Sequence, residues 1–262
     1  MSRRLVALYR SQLGKKVVVA VTGLIMVGFL VVHLAGNLKV FLPDPEPGVA
    51  DIDVYAEALR EIGVPFLPHG AVVWATRLAL LAAVILHVVC VLQLSAQSRA
   101  ARRGGYAERR YQRATWAARL MMVSGLTLLV YIVFHLAHLT VGVVEPDRFV
   151  HGALYYNLYE AFTRWPFVLI YTVGMAAVAF HVYHGAWSVF QTLGLDSPER
   201  NRLFRGVAIG LAILFLVGFL SIPFAFVSGV LGPPPSPPEE HAGILQAGFA
   251  TPADNAPSEV QR

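Results

Sequence analysis

The stretch that decides the fold is VVVAVTGLIMVGFLVVHLAGNLKVF, residues Val17–Phe41. About 20 apolar residues are enough for a helix to cross the hydrocarbon core of a bilayer, and this run exceeds that length. It follows the basic residues Lys15 and Lys16, as in a signal peptide, but it is too long for one and shows no obvious cleavage site. The sequence therefore predicts that this run spans a membrane.

Four further runs of similar length and character follow along the chain. Apolar residues make up 56% of the 262 residues and charged residues only 14%, and the mean hydropathy is +0.58, which excludes an ordinary soluble domain. The sequence therefore predicts an all-α bundle of five transmembrane helices. The five predicted spans are Val17–Phe41, Gly70–Ala96, Trp116–Val144, Trp165–Leu193 and Gly206–Leu231.

The charges between the spans indicate which way the bundle faces. Arginines fill the second and fourth connections, whereas the first is acidic and the third has only Arg148 and Arg164 as basic residues, so the N-terminus is expected in the cytoplasm and the C-terminus outside. The net charge of +5 thus reflects membrane orientation, and no nucleic-acid partner is expected. The predicted parts are a basic cytoplasmic N-terminus (1–16), a transmembrane domain (17–231) and a proline-rich, disordered extracytoplasmic tail (232–262).

Histidine is the residue type on which any metal site of this chain must depend. The single cysteine, Cys90, excludes a disulfide framework, an iron–sulfur site and a Cys-ligated zinc site within the chain. No predicted span has a carboxylate in its interior, which disfavours a proton-driven transporter. Six of the nine histidines fall inside the first four spans, namely His33, His87, His135, His138, His181 and His184.

The depths of these histidines form a pattern. With a rise of 1.5 Å per residue, His33 and His135 lie ~25 and ~27 Å from the cytoplasmic side, and His87 and His181 ~15 and ~18 Å from it. We call the first two the outer pair and the last two the inner pair. Two pairs at two depths are what two stacked bis-histidine haems b require, whereas a catalytic zinc site needs three or four ligands at one depth. Depth does not separate His181 from His184, and a lone intramembrane histidine also often bonds only a neighbouring carbonyl.

Several short motifs carry a resemblance to a known family. They are SQLGKK (11–16), Thr22-Gly23, HLAGNL (33–38), HVYHGAWS (181–188) and QTLG (191–194). With these motifs the chain resembles, over residues 11–232, the five-helix cytochrome b subunit of succinate dehydrogenases and fumarate reductases. That family's ligands fall on His33 with His135 and on His87 with His181. His181 is selected over His184 because the family's ligand is followed, after three residues, by a glycine, and His135 over His138 because the ligand follows a phenylalanine.

The resemblance implies cofactors and partners. The chain is expected to hold two haems b, to act on menaquinone, and to dock a flavoprotein subunit and an iron–sulfur subunit on the cytoplasmic side of the cell's inner membrane. FAD and the iron–sulfur clusters then belong to the partners, so this chain carries electrons to or from quinone and does not itself oxidise succinate. Some fumarate reductases have a glutamate two residues before the fourth-span ligand; Ala179 stands there, which puts proton movement by that route in doubt.

Further residues are candidates for contacts with haem and quinone. The anionic haem propionates need cations at the span ends, for which Arg77 and Lys39 suit the outer level and Arg119 the inner level. Snorkelling to lipid headgroups is the alternative, above all for Lys39. Glu57 and Tyr55 are the candidates for an outer quinone site, although most acids in such loops are merely solvated.

Two other functions remain open at the level of sequence. One is the di-haem cytochrome b of another quinone-linked oxidoreductase, of the formate dehydrogenase or hydrogenase type. The other is a haem-free anchor that only docks a soluble dehydrogenase. The sequence also leaves open whether the complex oxidises succinate or reduces fumarate in the cell, which quinone it uses, and its oligomeric state.

Overall fold

The structure is a computed structural model that describes residues 11–45, 47–101, 114–192, 194 and 197–235. Side chains are described in these ranges except at residues 101, 114–119 and 198–199. Every regular element in the described ranges is helical, and a 3-10 turn, Leu38–Phe41, and a π-helical turn, Ala137–Val141, extend two of the helices. The α-helices are α1 (Gln12–Asn37), α2 (Asp51–Glu61), α3 (Ala71–Ala101), α4 (Ala114–Leu136), α5 (Leu154–Phe162), α6 (Trp165–Thr192) and α7 (Pro198–Val227).

Five of these helices are long and apolar enough to cross a membrane, which confirms the all-α class and the predicted number of spans. They are α1, α3, α4, α6 and α7. Large aliphatic side chains on them face outward, for example Leu78, which is 61% exposed, and Val217, which is 62% exposed. Such faces are stable only against lipid, so the chain is a multi-pass membrane protein.

Two helices begin earlier than the hydropathy of the sequence predicts. The hydroxyl of Ser11 accepts a hydrogen bond of 2.9 Å from the main-chain N–H of Gly14, so α1 begins at Gln12 and includes Lys15. In the same way Ser197 caps α7, which begins at Pro198. The predicted division between residues 16 and 17 thus falls inside α1, and the side of the membrane on which residues 1–16 lie stays a prediction. Residues 1–10 of the predicted N-terminal part and 236–262 of the predicted tail lie outside the described residues.

Close approaches between α1, α6 and α7 build the middle of the bundle. Phe215 of α7 is fully buried against Leu34 of α1 and Met175 of α6. Gly218 lets α7 approach α1, since a Cβ at this position would lie 2.8 Å from Cδ2 of Leu34. The main-chain contacts join α1 with α3, α6 and α7, and α6 with α4 and α7. Helix α7 is thus a packing helix that covers α1 and α6.

The short helices α2 and α5 close one end of the bundle, which we call the helix-capped end. They pack there around a cluster that includes Ile52, Phe162 and Phe226. Asp53 of α2 is 1% exposed, and its carboxylate accepts hydrogen bonds from the main-chain N–H groups of Leu154, at 2.5 Å, and Tyr155, at 3.2 Å. A carboxylate at the first turn of a helix satisfies donors that have no partner within that helix. The carboxylate of Asp53 therefore holds the first turn of α5 against α2.

The hydrogen bonds to Asp53 predict a loss of stability when its carboxylate is removed. We expect Asp53→Ala to destabilise the chain by about 1–3 kcal/mol, because it leaves buried N–H donors of α5 unpaired. Thermal unfolding in detergent, followed by circular dichroism, measures the change. Asp147→Ala, which removes an exposed acid of the same end, is the matched control and should leave the midpoint unchanged. Equal midpoints for the two variants would show that Asp53 does not hold α5.

Candidate functional site

Two pairs of histidine rings face each other between the helices. The centroids of the His33 ring on α1 and the His135 ring on α4 are 6.1 Å apart, with an angle of 80° between the ring planes. The centroids of the His87 ring on α3 and the His181 ring on α6 are 6.4 Å apart, with an angle of 60°. The structure thus brings together the two pairs predicted from depth, and each pair draws on two helices.

The two pairs lie at different levels of the bundle. His87 and His181 each lie 16 residues after the first residue of their helices, which corresponds to ~24 Å from the helix-capped end. His33 lies four residues before the end of α1, and His135 one residue before the end of α4. The outer pair is therefore adjacent to the helix-capped end, and the inner pair lies about half-way along α3 and α6.

The ring separations fit two imidazoles that share one metal ion. With metal–nitrogen bonds of about 2 Å and ring nitrogens about 1.2 Å from the ring centre, two imidazoles that share one metal ion would have centroids up to about 6.4 Å apart. The observed separations of 6.1 and 6.4 Å agree with this value. Ordinary edge-to-face ring contacts also span about 4.5–7 Å, so the spacing of each pair is compatible with a bis-histidine metal site but does not require one.

His138 and His184, the alternatives to His135 and His181, have other partners. The His138 ring is 5% exposed and stacks on Phe167, with the centroids 4.4 Å apart. The His184 ring stacks on Phe180 at 4.8 Å, and its Nδ1 lies 3.4 Å from the carbonyl oxygen of the same residue. Geometry therefore favours His135 and His181 as the members of the two facing pairs.

The rings of the inner pair are held by hydroxyl groups from other helices. Oγ1 of Thr22, on α1, lies 3.1 Å from Nδ1 of His87, and Oγ of Ser124, on α4, lies 3.2 Å from Nδ1 of His181. The next residue in each case is a glycine. A Cβ at Gly23 would lie 3.6 Å from Cε1 of His87, and one at Gly125 would lie 3.3 Å from Cε1 of His181. Each ring thus lies directly on a hydroxyl–glycine motif of a neighbouring span.

The outer pair adjoins a polar network that extends to the helix-capped end. The hydroxyl of Tyr171 lies 3.4 Å from Nδ1 of His135 and 3.2 Å from Nδ1 of His138. His138 lies in the π-helical turn after α4, and its Nε2 is 3.7 Å from Oε2 of Glu145. Glu145 in turn accepts two hydrogen bonds from the guanidinium of Arg164. Tyr171 and His138 therefore connect His135 to an ion pair outside the spans.

The cations predicted for haem propionates have the following positions. The ammonium of Lys39 pairs with Asp51 at 2.9 Å and lies 5.5 Å from the ring centroid of Tyr55. The guanidinium of Arg77 lies over the exposed ring of Trp74, 5.0 Å from its centroid, an arrangement typical of the membrane boundary. The side chain of Arg119 lies outside the described residues. Propionate binding by these three residues stays a prediction.

The residues predicted for quinone lie at the helix-capped end. Tyr55 packs on Gly36, three residues after His33, so closely that a Cβ at Gly36 would lie 3.0 Å from its hydroxyl oxygen. Glu57 bonds Arg60 at 2.5 Å and His69 at 2.9 Å. Burial of Glu57 acts to raise its pKa, but the hydrogen bonds from these two side chains outweigh it and hold the pKa below the ordinary value. Glu57 is therefore an anion near neutral pH.

One further group of potential metal ligands lies in the same connection. Ligand atoms of Glu57, Glu61 and His69 all lie within 4.8 Å of one another. The second oxygen of Glu57 is occupied by Arg60, and His69 is half exposed. A cation next to a guanidinium is disfavoured, so this cluster is explained as an ion-pair network.

Comparison of the chain with protein-family models, curated proteins and solved structures gives no match. The assignment of a function therefore depends on the motifs of the sequence and on the geometry of the two histidine pairs.

Several residues of the site are not found by reading the sequence for ligands. Ser124, Tyr171 and Glu145 were not among the candidates, and Thr22 entered only as part of a motif. A signal exists for two of them, since Thr22-Gly23 lies 11 residues before His33 and Ser124-Gly125 lies 11 residues before His135. Eleven residues are close to three helical turns, so hydroxyl and histidine share one face of each span.

The ion pair of Glu145 and Arg164 predicts a pH dependence of stability. Hydrogen bonds from Arg164 hold the pKa of Glu145 below its ordinary value, against the opposing effect of partial burial. The ion pair therefore stabilises the fold above the ordinary glutamate pKa of about 4.3, and this contribution is lost as the pH falls through the lower folded-state pKa. We expect wild type to unfold at a higher temperature than Glu145→Gln from pH 7 to 5.

The difference should close as the pH is lowered further. Unfolding midpoints measured in detergent between pH 7 and 3.5 test this, with Asp147→Asn, a change of an exposed acid in the same connection, as the matched control. A difference between wild type and Glu145→Gln that is constant or grows toward low pH would contradict the prediction.

Proposed function

We propose that the chain is the di-haem cytochrome b membrane anchor of a succinate:quinone oxidoreductase. The single observation that carries the proposal is the presence of two histidine pairs, each bridging two helices at the spacing of a shared metal ion and each at its own level. The motifs around His33 and His181, which resemble those of this family, support the same function. In this function the chain is an electron-transfer and quinone-reactive subunit.

Each residue of the pairs has a defined role in this proposal. His33 and His135 hold the iron of the outer haem, and His87 and His181 hold the iron of the inner haem. Bound there, the two haems supply one-electron transfer across the bundle. The chain supplies the rigid helices that fix the axial imidazoles, and the apolar packing around them keeps water from the redox centres.

A buried donor on α6 supports an inner cofactor. Among the described residues, the indole Nε1 of Trp187 is one of two buried side-chain polar atoms that have no hydrogen-bond partner. It lies six residues beyond His181 on the same helix, ~9 Å along the axis. An unpaired buried N–H is costly, and a carboxylate of a haem held by the inner pair would be an acceptor of the required kind.

The orientation and the partners follow from the charge distribution. The arginine-rich connections after α3 and α6 belong in the cytoplasm by the positive-inside rule, which places the helix-capped end outside. The flavoprotein and iron–sulfur subunits then dock at the basic end, in the inner membrane of the cell, and they carry the FAD and the iron–sulfur clusters. The inner haem is the one closer to them.

The quinone, for which we propose menaquinone, is assigned to the outer end. If quinone reacted beside the iron–sulfur subunit, a second haem on the far side of the membrane would have no role in electron transfer. Tyr55, on Gly36 of α1, and Glu57, two residues later on α2, lie at that end and are proposed to flank the site. The anionic state of Glu57 suits it to hold a hydrogen-bond donor of the reduced quinone.

Ligand substitutions test the proposal on the purified chain. His33→Ala and His135→Ala should each abolish or misligate the same haem, and His87→Ala and His181→Ala the other, because a six-coordinate b haem needs both axial imidazoles. Haem content per chain and reduced-minus-oxidised spectra measure the outcome.

The neighbouring histidines provide the matched controls. His138→Ala and His184→Ala should retain two haems, since these rings stack on Phe167 and Phe180 and are not members of the facing pairs. Loss of a haem in either control would reassign that ligand, and a crossed pattern, with His33 and His181 affecting one haem, would overturn the pairing.

A second pair of variants tests the outer quinone site. We expect Glu57→Gln and Tyr55→Phe to lower quinone-dependent succinate oxidation by the intact complex while both haems stay bound. Ser11→Ala, at the basic end, is the control and should retain turnover. Full turnover in both outer variants, together with its loss in Ser11→Ala with both haems present, would move the quinone to the cytoplasmic side.

A further inference from the structure

The hydroxyl groups at the inner pair allow the protons of its imidazoles to be assigned. A hydroxyl has one hydrogen, and that of Thr22 is directed to the carbonyl oxygen of Val18, 2.7 Å from Oγ1. The hydroxyl of Ser124 donates in the same way to the carbonyl oxygen of Met121, at 3.1 Å. Carbonyl oxygens only accept, so each hydroxyl oxygen is left to accept a hydrogen bond from the nearby imidazole.

This assignment selects one tautomer for both rings. With the hydroxyl hydrogens of Thr22 and Ser124 assigned to these carbonyl oxygens, their Oγ atoms are acceptors, and the protons are assigned to Nδ1 of His87 and Nδ1 of His181. The nitrogen with the free lone pair is then Nε2 in both rings. This is the tautomer that a neutral histidine needs to bind a metal through Nε2, and it is selected by residues of other helices.

The environment of the outer pair is different. The Tyr171 hydroxyl is shared between His135 and His138, and the chain of contacts continues to Glu145 outside the spans. At the inner level the hydrogen bonds end on main-chain carbonyls of α1 and α4, which have no freedom to change. The two metal sites therefore differ in what lies behind their imidazoles.

We propose that Thr22 and Ser124 are positioning residues that hold His87 and His181 in the Nδ1–H tautomer and so set the reduction potential of the inner haem. The inference rests on the proposed function of this pair as haem ligands. An acceptor on Nδ1–H increases the basicity of the coordinating nitrogen, which stabilises ferric over ferrous iron. Loss of the acceptor therefore raises the potential of the inner haem and leaves that of the outer haem unchanged.

Paired substitutions separate the hydroxyl from the volume of the side chain. Thr22→Val keeps the shape and removes the acceptor, whereas Thr22→Ser keeps the acceptor; Ser124→Ala and Ser124→Thr are the corresponding pair. In the purified full-length chain, redox titration of both haems is the measurement, and the inner haem is the one that His87→Ala removes. We expect Thr22→Val and Ser124→Ala to change the ferrous-to-ferric ratio of the inner haem about tenfold, an upward shift of about 59 mV.

The variants that keep a hydroxyl group test whether the hydrogen bond, and not the packing of the side chain, sets the potential. Thr22→Ser and Ser124→Thr should keep the wild-type potential. If Thr22→Val loses only the inner haem and Thr22→Ser retains it, the positioning role also stands, because partners of this kind contribute 10- to 100-fold to metal affinity. Unchanged potentials in Thr22→Val and Ser124→Ala with both haems bound overturn the proposal. Equal effects of the Val and Ser variants overturn it too, since they show that packing and not the hydroxyl matters.

A measurement without haem distinguishes this inference from the proposed function. Nitrogen-15 spectra of the imidazoles in haem-depleted chain report the tautomer directly. We expect the Nδ1–H form at His87 in wild type and its loss in Thr22→Val. An Nε2–H form at His87 in wild type would overturn the positioning role even if haem binds normally. If His87 has the Nδ1–H form but the chain never binds haem, the hydrogen bond to Thr22 stands and the proposed function is overturned.

Discussion

An imidazole inside a bilayer needs a partner for its ring nitrogens, because hydrocarbon offers none and an unpaired polar group costs several kcal/mol. Three of the four facing histidines have a hydroxyl from another helix at Nδ1: Thr22 for His87, Ser124 for His181 and Tyr171 for His135. The remaining nitrogen of each ring is Nε2. The ring separations of 6.1 and 6.4 Å leave room for the proposed metal ion between the members of a pair.

The packing of the helices differs between the apolar core and the histidine pairs. Helices α1 and α6 contact each other and are both covered by α7, which buries apolar residues such as Phe215 and Leu34 between them. The histidine pairs instead join α1 to α4 and α3 to α6. Close approach is concentrated where glycines permit it, and the histidines bridge the other helix pairs. A cofactor between those helices would therefore add contacts to the bundle without displacing its core.

Much of the fold and part of the site follow from the sequence alone. Five apolar runs predict five helices because the thickness of the bilayer imposes the length of each, and depth along a helix correctly pairs His33 with His135 and His87 with His181 in space. Helix starts were predicted too late at Gln12 and Pro198, because hydropathy does not register the caps at Ser11 and Ser197. Rotation about each helix axis decides which of two neighbouring histidines faces a partner, and spacing alone does not provide it for His181 and His184.

The sequence does not predict the polar network next to the outer pair, and the reason is different. Tyr171, His138 and Glu145 are separated along the chain and meet only because a π-helical turn follows α4 and an ion pair ties the next connection to the start of α6. Local sequence signals do not specify such long-range contacts. The hydroxyl–glycine motifs at residues 22–23 and 124–125 are visible in the sequence, but two-residue patterns are common by chance, and their meaning depends on which ring lies against them.

The central claim is that each facing pair of histidines holds one haem b. Its most direct measurement is the haem content of the purified, full-length chain expressed with sufficient haem, determined per mole of protein together with its reduced-minus-oxidised spectrum. The account predicts two b-type haems per chain that titrate as two separate one-electron steps, because the surroundings of the inner and outer imidazoles differ. A chain that is folded in detergent and contains no b-type haem would contradict it.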